Sequence, residues 1–290
     1  KLLHSPLHPL YNRAIRGQFA AGSTINPFFA LAALDDGVVT PQYKIYDPGW
    51  FQLPNTSHIY HDWRRGGHGW VDLHKAIIVS CDTYVYNLAV NMGIARMITV
   101  LHEFGFGKPT DIDMPGEVAG LVPTPKWKMG AQGHPWYTGD TIETGIGQGF
   151  LLVTPLQLAQ AVSALAEHGN RFKPDLLLKT ISPTGKVTMQ TPIAEPPVLL
   201  RHPQDWNIVI RAMAGVAAPG GTAALFGRHL QFTVAAKTGT AQIYGHQRDE
   251  DAIRTNIPKR LRNNHLFIAY APVKNPQIAI AVVVEHSALA

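Results

Sequence analysis

The sequence predicts an α+β fold, in which an antiparallel sheet is flanked by helices and joined to a helical subdomain. Segments with helical periodicity lie mainly in the first two thirds of the chain, whereas β-branched and apolar runs fill its C-terminal part. Of the 290 residues, 46% are hydrophobic and 16% are charged, which favours a large buried interior and excludes a disordered chain. We therefore expect one domain over residues 1–290, with the helical subdomain within about residues 35–225 and the strands mainly in residues 226–290.

Two helices are predicted together with their ends. The first is indicated by apolar residues at helical spacing, namely Ile94, Met97, Ile98 and Leu101. Gly105 follows as a stop signal. The second helix has Thr154 as its N-cap and Pro155 at its first position, and it is expected to end near Gly169.

The C-terminal part of the chain contains β-branched and apolar runs that are typical of strands: Phe232–Ala241, His265–Ala271 and Ile278–Glu285. The turn signal at residues 272–276 joins the last two runs, which indicates an antiparallel meander. Residues 245–264 carry both signs of charge and are expected to form an exposed loop.

Charge and cysteine content exclude several classes of protein. The formal net charge is +5, and the basic residues are scattered rather than clustered, so we expect no nucleic-acid partner. The longest uninterrupted apolar stretch has seven residues, as in Ile278–Val284, whereas a membrane span needs about 20. Cys81 is the single cysteine, which rules out an internal disulfide.

Ser23 is the first candidate catalytic residue. It lies in the sequence Gly-Ser-Thr-Ile-Asn-Pro at residues 22–27, which precedes an apolar run. Because proline is tolerated only in the first turn of a helix, a helix that contains Pro27 should begin near Ser23. The free N–H groups and the dipole at a helix start favour a developing oxyanion, which suits a nucleophile. The alternative is that Ser23 is only an N-cap.

Two further motifs follow in the chain: Ser80-Cys81-Asp82 and Lys237-Thr238-Gly239-Thr240. With Ser23, and in this order, they resemble the three motifs of penicillin-recognising active-site serine enzymes. Other blocks resemble the transpeptidase domain of class B penicillin-binding proteins: Asp47-Pro48-Gly49-Trp50, Gly139-Asp140-Thr141-Ile142, Gly145-Ile146-Gly147-Gln148-Gly149, Thr154-Pro155 and Gly220-Gly221-Thr222-Ala223. The Asp-Pro-Gly-Trp stretch and the Ser-x-Asp motif point to the penicillin-binding protein 2 type.

The resemblance covers nearly the whole chain and implies a serine-type D-Ala-D-Ala transpeptidase. Such an enzyme crosslinks peptidoglycan stem peptides in the periplasm and is acylated by β-lactams. The resemblance also implies a full-length protein that is anchored in the bacterial inner membrane and assembles with membrane-bound elongation-complex proteins. We expect the anchor to be absent from this chain, which begins at Lys1.

The family's catalytic roles can be carried onto three residues. Ser23 would be the nucleophile that attacks the D-Ala-D-Ala carbonyl and holds the acyl group. Ser80 would relay a proton beside the leaving nitrogen, and Asp82 would orient its neighbours. The main-chain N–H groups of Ser23 and Thr240 would form the oxyanion hole.

The family's substrate-binding roles fall on the third motif. Lys237 would supply positive potential for the terminal carboxylate of the substrate. The hydroxyls of Thr238 and Thr240 would hydrogen-bond that carboxylate, and Gly239 lies between them in the same motif.

Asn26 departs from the family pattern, which has a lysine three residues after the nucleophile. The lysine amine takes the proton of the serine, and a neutral amide cannot do so. We therefore expect either an impaired enzyme, in which Asn26 is a hydrogen-bonding replacement, or a non-catalytic domain that binds stem peptides or cell-wall partner proteins. A carboxypeptidase or β-lactamase with the same motifs is a further alternative, and the Gly-rich blocks argue against it.

Four residues form a candidate zinc site: Asp47, Asp62, His68 and Cys81. Oxygen, nitrogen and sulfur ligands in this number suit a closed tetrahedral site. The sequence holds 14 histidines, so such spacings also arise by accident. The alternative is therefore that Cys81 is a small buried hydrophobic residue.

Overall fold

The computed structural model describes residue 5 and residues 8–243 and 258–287. The helices in these residues are α1 (Arg13–Arg16), α2 (Asn26–Asp35), α3 (Leu73–Val79), α4 (Asp82–Glu103), α5 (Pro125–Gln132), α6 (Thr138–Gly145), α7 (Pro155–Ala166), α8 (Gln204–Val216) and α9 (Ala224–Gly227). Short 3-10 helices span Gly22–Ile25 and Lys259–Leu261. The strands are β1 (Lys44–Asp47), β2 (Trp50–Gln52), β3 (Ile59–His61), β4 (Gly69–Asp72), β5 (Arg171–Phe172), β6 (Lys179–Ile181), β7 (Val187–Met189), β8 (Ala194–Glu195), β9 (Ala235–Ala241), β10 (Asn264–Ala271) and β11 (Ile278–Val284).

The main sheet is the antiparallel meander that the sequence predicts. Its strand order is β11-β10-β9, and its register pairs Leu266 with Gly239 and Ala271 with Ile278. The strand β9 begins at Ala235, three residues later than predicted, because Phe232 is exposed and lies outside the ladder. Helix α7 packs against β10 and β11, and α8 packs against β9, so both helices cover apolar strands.

Helix α2 lies at the centre of the molecule. Every one of its residues is buried, and it contacts α3, α4 and α8. A helix that is apolar on all sides is typical of a protein interior. The 3-10 helix that leads into α2 contacts β9 and β10, so the start of α2 lies where the sheet meets the helical part of the chain.

The two helices predicted with their ends are present. The apolar periodicity belongs to the second half of α4, in which Gly93 interrupts the helical dihedral angles with φ 72° and ψ 155°. The Thr154 side chain accepts a hydrogen bond from the N–H of Gln157, whose side chain in turn accepts one from the N–H of Thr154. This capping box begins α7, which ends at Ala166, three residues before the predicted stop at Gly169.

The segment expected as a polar loop lies largely outside the described residues, which resume at residue 258. In the part of the chain that the structure describes, four two-stranded antiparallel sheets were not predicted: β1 with β4, β2 with β3, β5 with β8 and β6 with β7. Within the described residues, every helix is either too short or too polar to cross a bilayer.

Candidate active site

The turn that carries Ser23 is pressed against the end of β9. Gly22 has φ +53°, and a Cβ atom at this position would lie 2.6 Å from the main-chain oxygen of Thr240. A residue with a side chain would therefore clash as well as being strained. The N–H of Gly22 donates to the main-chain oxygen of Gly147 at 2.9 Å. These contacts hold the half-buried Ser23 at the start of α2, with Pro27 in the first turn as predicted.

Ser80 occupies the junction between α3 and α4 in an unusual backbone conformation. Its dihedral angles, φ 56° and ψ 50°, are those of a left-handed residue, which costs about 1–2 kcal/mol for a residue with a Cβ atom. The Nζ atom of Lys237 donates to the Oγ atom of Ser80 at 2.7 Å and to the main-chain oxygen of Thr238 at 2.9 Å. The structure thus brings the second and third motifs into direct contact.

Lys237 is fully buried, although its side chain ends in an ionisable amine. Burial lowers the pKa of its amine to about 7, and the negative charge of Asp82 opposes this shift. Both the charged and the neutral amine are therefore available near neutral pH. The pKa of Asp82 is raised well above its ordinary value, first by burial and then by the negative charge of Asp62.

Two residues outside the predicted site fix the strand β9. The Oγ1 atoms of Thr222 and Thr238 lie 2.7 Å apart. The Nε2 atom of Gln148 donates to the main-chain oxygen of Thr240 at 2.7 Å, and its Oε1 atom accepts from the N–H of Gln242 at 3.2 Å. Thr222 and Gln148 belong to Gly-rich blocks of the sequence, but no local pattern indicates which strand they contact.

The side chain of Asn26 does not behave as a hydrogen-bonding replacement for lysine. It is 2% exposed, and neither its Nδ2 nor its Oδ1 atom has a hydrogen-bond partner among the described residues. It lines a cavity of about 10 Å³ together with Tyr84 and mostly apolar side chains, among them Leu73 and Ala76. These neighbours leave the amide unpaired, so the expected hydrogen-bonding role is not met.

Comparison with known proteins places the chain in a family. The family described as penicillin binding protein transpeptidase domain matches residues 3–290. This chain belongs to that family. The resemblance inferred from the three motifs is thereby confirmed.

Several relatives of this transpeptidase domain are of the penicillin-binding protein 2 type, as predicted. The chain is 40% identical over 286 residues to the peptidoglycan D,D-transpeptidase MrdA of Escherichia coli K12. The aligned region covers 98% of this chain and 45% of that protein. It is 40% identical to the solved PBP2 of Pseudomonas aeruginosa in complex with WCK 5153, with a TM-score of 0.84 over 99% of this chain and 60% of that one. The PBP2 of Helicobacter pylori in complex with MreC is 29% identical, with a TM-score of 0.83 over 98% of this chain and 49% of that one.

These comparisons also confirm the predicted fold class, since the solved relatives are PBP transpeptidase domains. The chain spans about half the length of the curated relatives that it matches. The roles predicted for individual residues of the transpeptidase domain stay predictions.

The four residues of the candidate zinc site come together beside Ser80. All are buried, and one ligand atom from each lies within 4.8 Å of the others. The Nδ1 atom of His68 is 2.8 Å from the Oδ2 atom of Asp47 and 3.5 Å from the Oδ1 atom of Asp62. The thiol of Cys81 donates to the Oδ2 atom of Asp47 at 3.4 Å.

The chemistry of this cluster fits a divalent cation. Burial raises the pKa of the Cys81 thiol, and the negative charge of Asp62 raises it further, so the thiol is held in its protonated form. Burial also raises the pKa of Asp62. A bound cation would oppose both effects, because it favours the thiolate and the carboxylate that ligate it.

A cavity of about 370 Å³ lies beside the end of β9. It is lined by the acidic side chains of Asp140 and Glu143, by Gln148 and by the residues that follow β9, Gln242 and Ile243. The ammonium group of Lys128 pairs with Asp140. Gln148 connects the cavity to Thr240, since its side chain donates to the main-chain oxygen of that residue. The negative charge of the cavity lining is partly neutralised by Lys128.

Proposed function

We propose that this chain is the D,D-transpeptidase domain of a peptidoglycan synthase, and that it acts through an acylated Ser23. The observation that carries this proposal is the 2.7 Å contact between the Nζ atom of Lys237 and the Oγ atom of Ser80, beside the turn that holds Ser23 against β9. This arrangement supplies a nucleophile, a proton relay and a buried amine from three separate parts of the chain. The 40% identity to proteins named peptidoglycan D,D-transpeptidase supports the same activity.

The reaction would proceed in two acyl transfers. In the first, Ser23 Oγ attacks the carbonyl carbon of the penultimate D-Ala, and the bond to the nitrogen of the terminal D-Ala breaks. The proton lost by Ser23 is transferred through Ser80 to that nitrogen, and the terminal D-Ala departs as a free amine. In the second, an amine of a neighbouring stem peptide attacks the ester, and its proton returns to Ser23. The crosslink forms and the serine is regenerated.

β-Lactams would acylate Ser23 in the same way. The β-lactam carbonyl takes the place of the peptide carbonyl, and the broken amide nitrogen stays attached to the product. The main-chain N–H groups of Ser23 and Thr240 would stabilise the oxyanion of both reactions. The hydroxyls of Thr238 and Thr240 would bind the carboxylate that peptides and β-lactams share, and the buried Lys237 would supply positive potential behind them.

Asn26 makes the proposed enzyme a slow one. The unpaired amide of this residue cannot accept the proton of Ser23, and removing a general base costs about 10²- to 10⁴-fold in rate. The same substitution favours the second candidate, a domain that binds stem peptides without turnover. The two candidates differ in whether Ser23 becomes acylated.

We further propose a periplasmic location and partners in the cell-elongation complex for the full-length protein. The H. pylori PBP2 that is structurally similar to this chain was solved with MreC, and another similar chain comes from a peptidoglycan synthase complex. These two complexes support the assembly of the full-length protein with partner proteins. Peptidoglycan stem peptides would be its substrates.

We also propose that Asp47, Asp62, His68 and Cys81 bind a structural zinc ion. Support comes from the convergence of two carboxylates, an imidazole and a thiol, all buried, within 4.8 Å of one another. This donor set suits tetrahedral zinc. When bound, the metal would fix the loop that carries Asp62 and His68 to Cys81, the middle residue of the second motif.

Intact-mass spectrometry after incubation with a penicillin tests the proposed function. We expect a slow mass increase equal to one penicillin per chain, and none in Ser23→Ala. Ser5→Ala is a matched control at a serine outside the three motifs and should acquire the adduct at the unaltered rate. If the protein binds a D-Ala-D-Ala peptide but forms no adduct with penicillin, the chain is a non-catalytic binding domain and the proposed transpeptidase activity is wrong. Rapid release of hydrolysed penicillin would indicate a β-lactamase or carboxypeptidase instead.

A further inference from the structure

Trp63 lies on the loop that joins β3 to β4, and the residue is 52% exposed. Burial of apolar surface therefore accounts for only part of its position. Its indole Nε1–H group donates to the main-chain oxygens of Val79 at 3.1 Å and Ser80 at 3.0 Å. Its main-chain N–H donates to the Oδ2 atom of Asp82 at 3.2 Å. One exposed tryptophan thus binds both sides of the α3–α4 junction.

The carbonyl groups that Trp63 binds lie at the C-terminal end of a helix, where they lack a hydrogen-bond partner within the helix. Val79 is the last residue of α3 and Ser80 is its C-cap, and carbonyl groups there have no partner within the helix. A side-chain donor satisfies them and fixes the direction in which the chain leaves the helix. Glycine is the usual residue in a left-handed C-cap, whereas this chain has a serine. The left-handed serine persists because surrounding contacts hold it.

Ser80 is held at two of its atoms. Trp63 binds its main-chain oxygen, and Lys237 binds its Oγ atom at 2.7 Å. The loop that presents Trp63 is itself attached to α4, since the Oδ2 atom of Asp62 accepts from the N–H of Thr83 at 3.1 Å. The indole ring also lies against the His68 ring, with 5.4 Å between centroids. Trp63 is therefore presented from a loop whose main chain is fixed.

We propose that Trp63 is a positioning residue for acyl transfer: its indole N–H holds Ser80 in the left-handed conformation in which the Oγ atom of Ser80 meets the Nζ atom of Lys237. This inference rests on the proposed function, in which Ser80 relays a proton. Trp63 acts through Ser80 and needs no contact with substrate. The sequence signal for it is only its place next to Asp62, which is why motif analysis passed over it.

The variant Trp63→Phe tests the inference, because it keeps an aromatic ring and removes the N–H donor. The matched control is Trp70→Phe, since Trp70 is 66% exposed and its ring packs edge-on against Tyr46. We expect Trp63→Phe to lower the rate constant of acylation by a saturating penicillin roughly tenfold, the effect of one lost hydrogen bond. In Trp63→Phe, the penicillin concentration that gives the half-maximal acylation rate and the melting temperature should stay close to those of the unaltered protein. In Trp70→Phe, the rate constant should stay unchanged as well.

A second measurement does not depend on acylation. The titration of the Lys237 13Cε resonance, assigned by its loss in Lys237→Met, should have its midpoint near the lowered pKa of about 7. We expect the midpoint to rise in Trp63→Phe, because a displaced Ser80 lets water reach the amine, and to stay in place in Trp70→Phe.

The outcomes separate the two proposals. Equal acylation rates and equal titration midpoints in both tryptophan variants would overturn the inference. A melting temperature that falls in Trp63→Phe together with penicillin affinity would show a merely structural role and would also overturn it. If the unaltered protein is never acylated, the proposed function is wrong. In that case the titration midpoint of Lys237 alone shows whether Trp63 holds Ser80 against the amine.

Discussion

The Nζ atom of Lys237 donates to the Oγ atom of Ser80 across 2.7 Å, although the two residues are 157 positions apart in the chain. The contact joins β9 of the sheet to the α3–α4 junction of the helical part. It is made by an amine that is fully buried. Because burial disfavours the charged form of an amine, this contact has a pH dependence that can be measured.

The first prediction concerns stability as a function of pH. The pKa of Lys237 is about 7 in the folded protein, whereas a lysine in an unfolded chain has a pKa of about 10.4. Between these values the unfolded chain binds more protons at this residue, so its contribution to the free energy of unfolding rises with pH. Relative to Lys237→Met, the unaltered protein should gain stability, on the order of a few kcal/mol, from about pH 7 to pH 10. Urea denaturation of both proteins measures this, and parallel pH curves would contradict it.

The second prediction concerns the missing base. Asn26→Lys restores an amine one helical turn after Ser23, at the position where the family has its lysine. We expect acylation by a penicillin to become faster by about 10²-fold or more. The measurement is the time course of adduct formation by intact-mass spectrometry. Asn26→Met, which restores length but no base, is the control. Equal rates in Asn26→Lys and in the unaltered protein would exclude a base at position 26.

The third prediction uses the same position to test packing. The Asn26 amide is buried without a hydrogen-bond partner among the described residues, next to a cavity with mostly apolar walls. Asn26→Leu removes the unpaired polar group and should raise the free energy of unfolding by about 1–3 kcal/mol. Acylation should not become faster, because leucine provides no base. A loss of stability in thermal or urea denaturation would mean that the amide has a partner in solution.

The elements that carry the first and third motifs could be predicted because their signals are local. The turn at Ser23 is marked by Pro27, and Lys237 lies in a strand-like segment that does form β9. A helix start and a strand are encoded by residues near one another in the chain. The first and third motifs therefore lie on the elements that the sequence predicts, whereas the junction of α3 and α4 that carries the second motif was not predicted.

The contacts that hold these residues could not be predicted in the same way. The amide of Gln148 bonds to Thr240, 92 positions away, and the indole of Trp63 reaches Ser80 across a separate loop. Nothing in the local sequence selects a partner at that separation. The direction of the Asn26 side chain was missed for a related reason, because it depends on which helices pack around α2.

The fourth prediction tests Gln148 as a support of the oxyanion hole. Gln148→Glu keeps the size of the side chain but replaces the Nε2–H donor to Thr240 by an oxygen, which repels the carbonyl that it faces. The end of β9 should shift, and the rate constant of acylation should fall about tenfold. Gln132→Glu, at an exposed position at the end of α5, serves as the control. Equal acylation rates in Gln148→Glu and Gln132→Glu would show that Gln148 does not support the oxyanion hole.

The fifth prediction concerns the cluster of Asp47, Asp62, His68 and Cys81. A structural zinc ion contributes several kcal/mol to folding. Elemental analysis should therefore find about one zinc per chain, and a chelator should lower the melting temperature. Because Cys81 is fully buried, slow reaction with thiol reagents is expected with or without metal. Only an increase in its reactivity after chelation supports the site.

The variant Cys81→Ser should lose zinc and stability together, since the alcohol is a far weaker ligand than a thiolate. His134→Gln, at an exposed histidine outside the cluster, should retain both. The metal would also reverse the raised pKa of Cys81, so acidification should release zinc as the thiolate takes up its proton. Freshly purified protein without zinc, whose melting temperature does not respond to a chelator, would leave Cys81 as a small hydrophobic residue, with its thiol donating to Asp47.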